Sequence, residues 1–146
     1  MKTGPLRSSW RDRRGASAVE FALVSIPMAI VLFAIIEVGR AMWTREALQQ
    51  TAAAGARCMG VLNSNCAAGG AYSAARTTSY VESVASGWGV TLTDSAVGLN
   101  RNATCGGVSG FSSVTLSYTF QTVAAGLIQP LGAVPMQVME CFPNNS

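Results

Sequence analysis

The sequence contains no histidine, and its single lysine is Lys2. The first absence removes the base on which a serine or cysteine nucleophile usually relies. The second confines the common substitute to the N-terminal arm. Acids are scarce as well: beyond position 40 only Glu46, Glu82, Asp94 and Glu140 remain, with no paired-carboxylate motif. The glycine-rich stretches lack the lysine of a phosphate-binding loop. No two cysteines have the close spacing of a zinc knuckle. Asn102-Ala-Thr104 matches a glycosylation acceptor by pattern alone. These gaps leave no catalytic, cofactor-binding or metal-ligating residue to nominate, and the expectation is a protein that is not an enzyme.

Charge is thin overall. Charged residues make up 12% of 146 and apolar ones 49%, a balance that leans toward a membrane protein. The length allows one domain and a membrane element. The net +3 is unevenly placed. Lys2, Arg7, Arg11, Arg13 and Arg14 oppose only Asp12 before Gly15, whereas five arginines face six acids after it. A basic arm can hold nucleic acid or acidic lipid. Set directly before an apolar span, it reads instead as the signal that keeps that end in the cytoplasm. The bilayer is therefore an expected partner and nucleic acid is not.

The apolar span runs from Ala16 to Val38, with Glu20 as its one interior charge before Glu37. Twenty-three helical residues rise about 35 Å, enough for a hydrocarbon core of roughly 30 Å. Trp10 lies on one side, and Trp43 with Arg40 and Arg45 just past the other, where interfacial anchors belong. A secretory signal peptide fits less well, because the core is long and Gly39-Arg40-Ala41 is a weak cleavage site. Arg13-Arg14 lacks the fuller consensus of a twin-arginine signal. Glu20 is the anomaly, since a carboxylate in an apolar span is costly without a partner.

The helical pattern continues past the span. Met42, Leu48, Ala52, Gly55 and Met59 are expected to form one stripe, and a single helix is expected from about Ser17 to Cys58, stopped by Gly60. A loop over Asn63–Gly70 should lead to a second helix over Ala71–Ala85, ended by Gly87, with Tyr72, Ala75, Val81 and Val84 inward. Val90–Thr93 and Val114–Phe120 alternate as strands, the second with Val114, Leu116, Tyr118 and Phe120 on the core face. Gly98–Gly110 reads as a loop, residues 122–135 as a packed irregular segment, and Met136–Phe142 as a final strand. The fold class is thus α+β: a long N-terminal transmembrane helix continuing into a small extracytoplasmic domain with a short helix and an antiparallel sheet. The divisions are a basic cytoplasmic leader (1–15), the transmembrane helix (16–38), its extension (39–60) and the head (61–146).

Cys58, Cys66, Cys105 and Cys141 all follow the span, which suits disulfides in an oxidising compartment. Four cysteines permit three pairings, and the sequence does not choose among them. The working expectation is Cys58 with Cys66 and Cys105 with Cys141.

Residues 13–24, Arg-Arg-Gly-Ala-Ser-Ala-Val-Glu-Phe-Ala-Leu-Val, are followed by Glu37-Val-Gly-Arg-Ala and an alanine-rich run ending at Gly55-Ala56-Arg57. This block resembles the TadE-like family, pseudopilins of the tight-adherence (Tad, or Flp) pilus and relatives of type IV pilins. The resemblance implies that a prepilin peptidase cuts between Gly15 and Ala16. It also implies that Glu20 meets the freed amino terminus during assembly, with Phe21 packed beside it. The implied partners are that peptidase, other pilins and pseudopilins, and the inner-membrane pilus assembly platform. The implied location is the bacterial inner membrane, N-terminus cytoplasmic and head periplasmic, with a minor role in the filament. Two other readings stay open: an uncleaved anchored binding or scaffold domain, and a major pilin or type II secretion pseudopilin.

Overall fold

The computed structural model describes residues 13–123 and 132–145, and the chain divides into two units, Met1–Val38 and Gly39–Ser146. Most of the basic leader, including Trp10, lies outside the described residues, as does the middle of the irregular segment expected over 122–135.

Helix α1 spans Arg13–Gly60 and passes through Pro27 without a break. In its first-unit part nearly every side chain from Gly15 to Val38 is exposed, including Phe21, Leu23, Ile30, Phe33 and Ile36. The most apolar 18-residue window has a mean hydropathy of 2.5 and none of it is buried. Water does not tolerate so large a continuous apolar surface on a folded chain. Lipid does. This apolar helix is compatible with a membrane anchor followed by a C-terminal domain.

In the second unit α1 has a buried stripe: Ala47, Leu48, Thr51, Ala52, Gly55, Ala56 and Met59. The spacing is that of one helical face. Met42, expected on this stripe, is instead exposed. Six residues separate it from Leu48, and at 100° per residue that carries it well off the face. Most side chains on the stripe are tiny, so neighbouring elements come very close. A Cβ placed on Gly55 would lie 2.6 Å from Val81 Cγ2 and 3.2 Å from Val114 Cγ2.

Past α1 come two two-residue strands, β1 (Ala67–Ala68) and β2 (Ala71–Tyr72), paired antiparallel. Helix α2 spans Ala74–Gly87. It starts three residues later than the sequence suggests because Ser73 caps it: the Ser73 hydroxyl accepts from the Arg76 N–H, and Thr77 Oγ1 donates to the Ser73 carbonyl at 2.9 Å. Its buried face is Thr77, Val81 and Ala85, spaced by four. Of the residues expected inward, Val81 is buried, Tyr72 and Val84 are half-buried and Ala75 is exposed. Ala75 lies two residues from Thr77, which turns it away from the face.

The stretch Val90–Thr93 is not a strand. Val90 and Leu92 are buried all the same, and the Val90 N–H closes the end of α2 on the Ala85 carbonyl at 3.0 Å. A short 3-10 turn at Asp94–Ala96 leads into the sheet of β3 (Val97–Cys105), β4 (Val108–Gln121) and β5 (Ala133–Pro143), with β4 central and all pairs antiparallel. The expected Gly98–Gly110 loop is therefore most of a hairpin. Its turn is Gly106-Gly107, with φ of 60° and 85° between the paired Cys105 and Val108. A two-residue hairpin of matching twist requires positive φ at both positions, which glycine adopts without strain. β4 carries Val114, Leu116 and Phe120 buried and Tyr118 half-buried, as its alternation implies. β5 begins three residues before Met136 and accepts Pro135 because it is an edge strand.

The core joins Leu48, Ala52, Ala56 and Met59 of α1 to Val81, Ala85, Val90, Leu92, Val114, Leu116 and Val138. Gly55 sits where α2 and β4 both touch α1. Gly55→Ala should lower the unfolding midpoint of the second unit by the equivalent of about 1–3 kcal/mol, the usual cost of overpacking. Gly39→Ala, where an added Cβ meets nothing within 4 Å, should not. Chemical denaturation of the two variants, followed by tyrosine and tryptophan fluorescence, decides the point.

Candidate functional site

The residues singled out at the N-terminal end of the span, Gly15, Ala16, Glu20 and Phe21, occupy the first turns of α1. All four are exposed, Phe21 at 75%. Ala16 and Glu20 are four residues apart, so they lie one above the other on the same face, about 6 Å apart along the axis. Among the described residues, Glu20 has no hydrogen-bonding or ion-pairing partner. A Cβ on Gly15 would meet nothing within 4 Å. The contrast with Gly55 and Gly60 is informative. At Gly60 a Cβ would lie 2.6 Å from Phe142 Cδ1 and 2.8 Å from the Pro143 carbonyl oxygen. Those two glycines are required by the chain's own packing, and Gly15 is not.

The four cysteines form two bonds, Cys58–Cys66 and Cys105–Cys141, and among the described residues no free cysteine remains. The first ties the last turn of α1 to the approach of β1. The second joins the end of β3 to β5, the two strands that flank β4. Around it the C-terminal tail is stitched down. Ser112 donates to Asn144 Oδ1, Asn144 Nδ2 donates to the Arg101 carbonyl at 2.8 Å, and the Asn145 N–H donates to the Gly60 carbonyl at 3.0 Å.

Folding also brings together two acids that no sequence spacing links. Glu82 on α2 and Asp94 on the 3-10 turn face each other, and the hydrogen bond between them raises the Glu82 pKa above its ordinary value. Weak desolvation and the like charge of Asp94 push the same way. Two carboxylates can share such a bond only while one of them holds a proton. Elsewhere, burial raises the Tyr72 pKa, partly opposed by a hydrogen bond with Thr77 and by Arg101, whose guanidinium lies 5.6 Å from the ring centroid. A shallow groove along α2, lined by Asn65, Ala75, Arg76, Ser79, Tyr80 and Ser83, holds one cation, Arg76. Its Nη1 already donates to the Ser64 carbonyl at 3.2 Å. Among the described residues, no group of three or more acids and cysteines is arranged to hold a metal ion. Neither the acid pair nor the groove joins a nucleophile to a base.

Breaking the bonds separately should cost unequal amounts, because they close loops of unequal length, 8 against 36 residues. Replacing both cysteines of a pair by serine should cost about 2.5 kcal/mol for Cys58–Cys66 and about 4 kcal/mol for Cys105–Cys141. Urea unfolding of the two double variants tests the order. For the acid pair, the folded chain binds a proton at Glu82 more tightly than the unfolded chain does. Its contribution is therefore full below the unfolded pKa near 4.5 and is lost as pH rises through the raised folded value. Glu82→Gln should flatten that part of the stability profile, measured by thermal unfolding across the mildly acidic range.

Comparison with known proteins adds one positive finding. Residues 15–57 match the protein-family model described as TadE-like protein. No curated protein and no solved structure matches the chain.

Proposed function

Taking a chain whose residues 15–57 are TadE-like as the premise, we propose that it is a minor pseudopilin-like structural component of a Tad/Flp-type pilus. In this reading α1 holds the subunit in the bacterial inner membrane, basic end in the cytoplasm and disulfide-bonded unit outside. An aspartic prepilin peptidase removes the leader between Gly15 and Ala16. The freed ammonium at Ala16 then pairs with Glu20, on its own chain or on a neighbour's, and fixes the axial stagger of subunits. Other pilins, pseudopilins and the assembly platform are the partners, and Phe21 packs beside the ion pair. The work is structural, not enzymatic.

The observation that carries the reading is the family match, which begins at Gly15 and runs to residue 57. The described packing leaves position 15 open, as it does position 39, and a small residue there suits a peptidase approaching the membrane surface. Glu20 supports it from the other side. An ionised carboxylate at the entry to an apolar span requires a counter-charge, and cleavage creates one a single helical turn away.

Two substitutions separate processing from assembly. Gly15→Arg should leave the leader on, so that N-terminal sequencing of the membrane-purified protein begins at the original start and not at Ala16. Glu20→Ala should be cut and inserted normally but fail to enter sheared pilus fractions. Natural protein that keeps its leader in cells with an active peptidase overturns the processing step and favours the uncleaved-anchor reading.

A further inference from the structure

Trp88 is a large apolar residue in an unusual place. It is the C-cap of α2, between Gly87 and Gly89, and 39% of it is exposed although Ala85 and Val90 on either side are buried. Its ring meets Trp43 edge-on, with centroids 5.7 Å apart, and Trp43 is itself 59% exposed. Two tryptophans thus stack on each other at the surface instead of entering the core. Met42, next to Trp43, is also exposed. One turn earlier Arg40 lies over Phe120 at 5.5 Å, and Phe120 pairs with the exposed Val134 of β5. The end of the second unit that carries the α1 residues nearest the span is therefore the end where Trp43, Trp88, Met42 and Val134 are exposed.

We infer that Trp88 is a second interfacial anchor: clasped to Trp43, it sets the C-terminal end of α2 into the lipid headgroup layer. The inference rests on α1 spanning a bilayer. Trp43 lies five residues beyond Val38, a rise of about 7.5 Å, which is roughly the depth of one headgroup layer. The Trp88 ring, its centroid 5.7 Å from that of Trp43, lies within that distance of the same level. Tryptophan favours this zone because its ring body is apolar and its indole N–H needs a polar partner, and the zone supplies both. The occupant of the patch is thus the lipid interface, since Trp43 follows the apolar run within the same helix.

Full-length chains with one tryptophan each, W10F/W43F and W10F/W88F, are reconstituted in phosphatidylcholine vesicles with brominated acyl chains. Trp88 emission should lose intensity by a fraction comparable to that of Trp43, most strongly with bromines near the headgroup. Quenching of Trp43 with none at Trp88 overturns the anchor while leaving the spanning helix in place. Loss of quenching at both, with release of the protein by alkaline carbonate, overturns the anchor and the membrane span together. Hydroxyl-radical footprinting of the unaltered chain in unbrominated vesicles avoids dependence on the substitutions. There Trp88 should be protected while Met139, 60% exposed on β5, is oxidised. Trp88 oxidised as readily as Met139 overturns the inference. Protection from radicals without quenching by bromolipid also overturns it, and points to a protein neighbour instead.

Discussion

The close approach at Gly55 governs the second unit. Val81 from α2 and Val114 from β4 both reach the α1 backbone at that point, and no Cβ fits between them. Around it the helix offers Ala47, Ala52 and Ala56, so its partners come close to the backbone there, while Leu48, Met59, Leu92 and Leu116 fill the space beside them. The alanine positions themselves bury little apolar surface, because burial scales with the area that side chains carry. The consequence appears elsewhere in the fold. Two disulfides constrain the unfolded chain, and the tail is held by polar bonds from Ser112, Asn144 and Asn145.

The same helix meets a different requirement in the first unit. There large apolar side chains such as Phe21, Leu23, Ile30, Phe33 and Ile36 are exposed, interspersed with small ones such as Ala18, Ala22 and Ala29. Exposed apolar side chains of this kind are compatible with lipid surroundings. Where β4 and α2 are the neighbours, bulk on one face is excluded. Position 42 shows the transition, since Met42 precedes the buried stripe and is exposed.

Features written in local spacing were legible in the sequence. The long apolar helix, the helical stripe from Leu48 to Met59 and the alternation of β4 each rest on a local run of residues, and the structure has all three. The two disulfides also match the expected pairing, although spacing alone left three arrangements open. What was not legible depends on contacts between distant segments. Gly106-Gly107 looks like loop composition until Cys105 and Val108 are seen to pair across it. Ala71 and Tyr72 have the spacing to begin a helix, but Ser73 caps it later and leaves them to pair with Ala67 and Ala68. Val90 and Leu92 alternate as a strand does and are buried as one would be, yet among the described residues no strand pairs with them. Glu82 and Asp94 meet only because α2 and the 3-10 turn fold against each other.

Two physical rules bear on the orientation of this chain, and they are independent. Basic residues are denser before the apolar run, five in the first fourteen positions against three in the twenty that follow Val38, and the loop-charge rule favours a cytoplasmic place for the denser side. Disulfides form after the span and not before it, and disulfides persist where thiols are not kept reduced. One rule concerns electrostatics during insertion and the other redox chemistry after it. Their agreement is not trivial, because a cysteine in the basic arm or a run of lysines in the second unit would have set them against each other. The two disulfides constrain the unfolded chain beyond what the packed core of the second unit supplies.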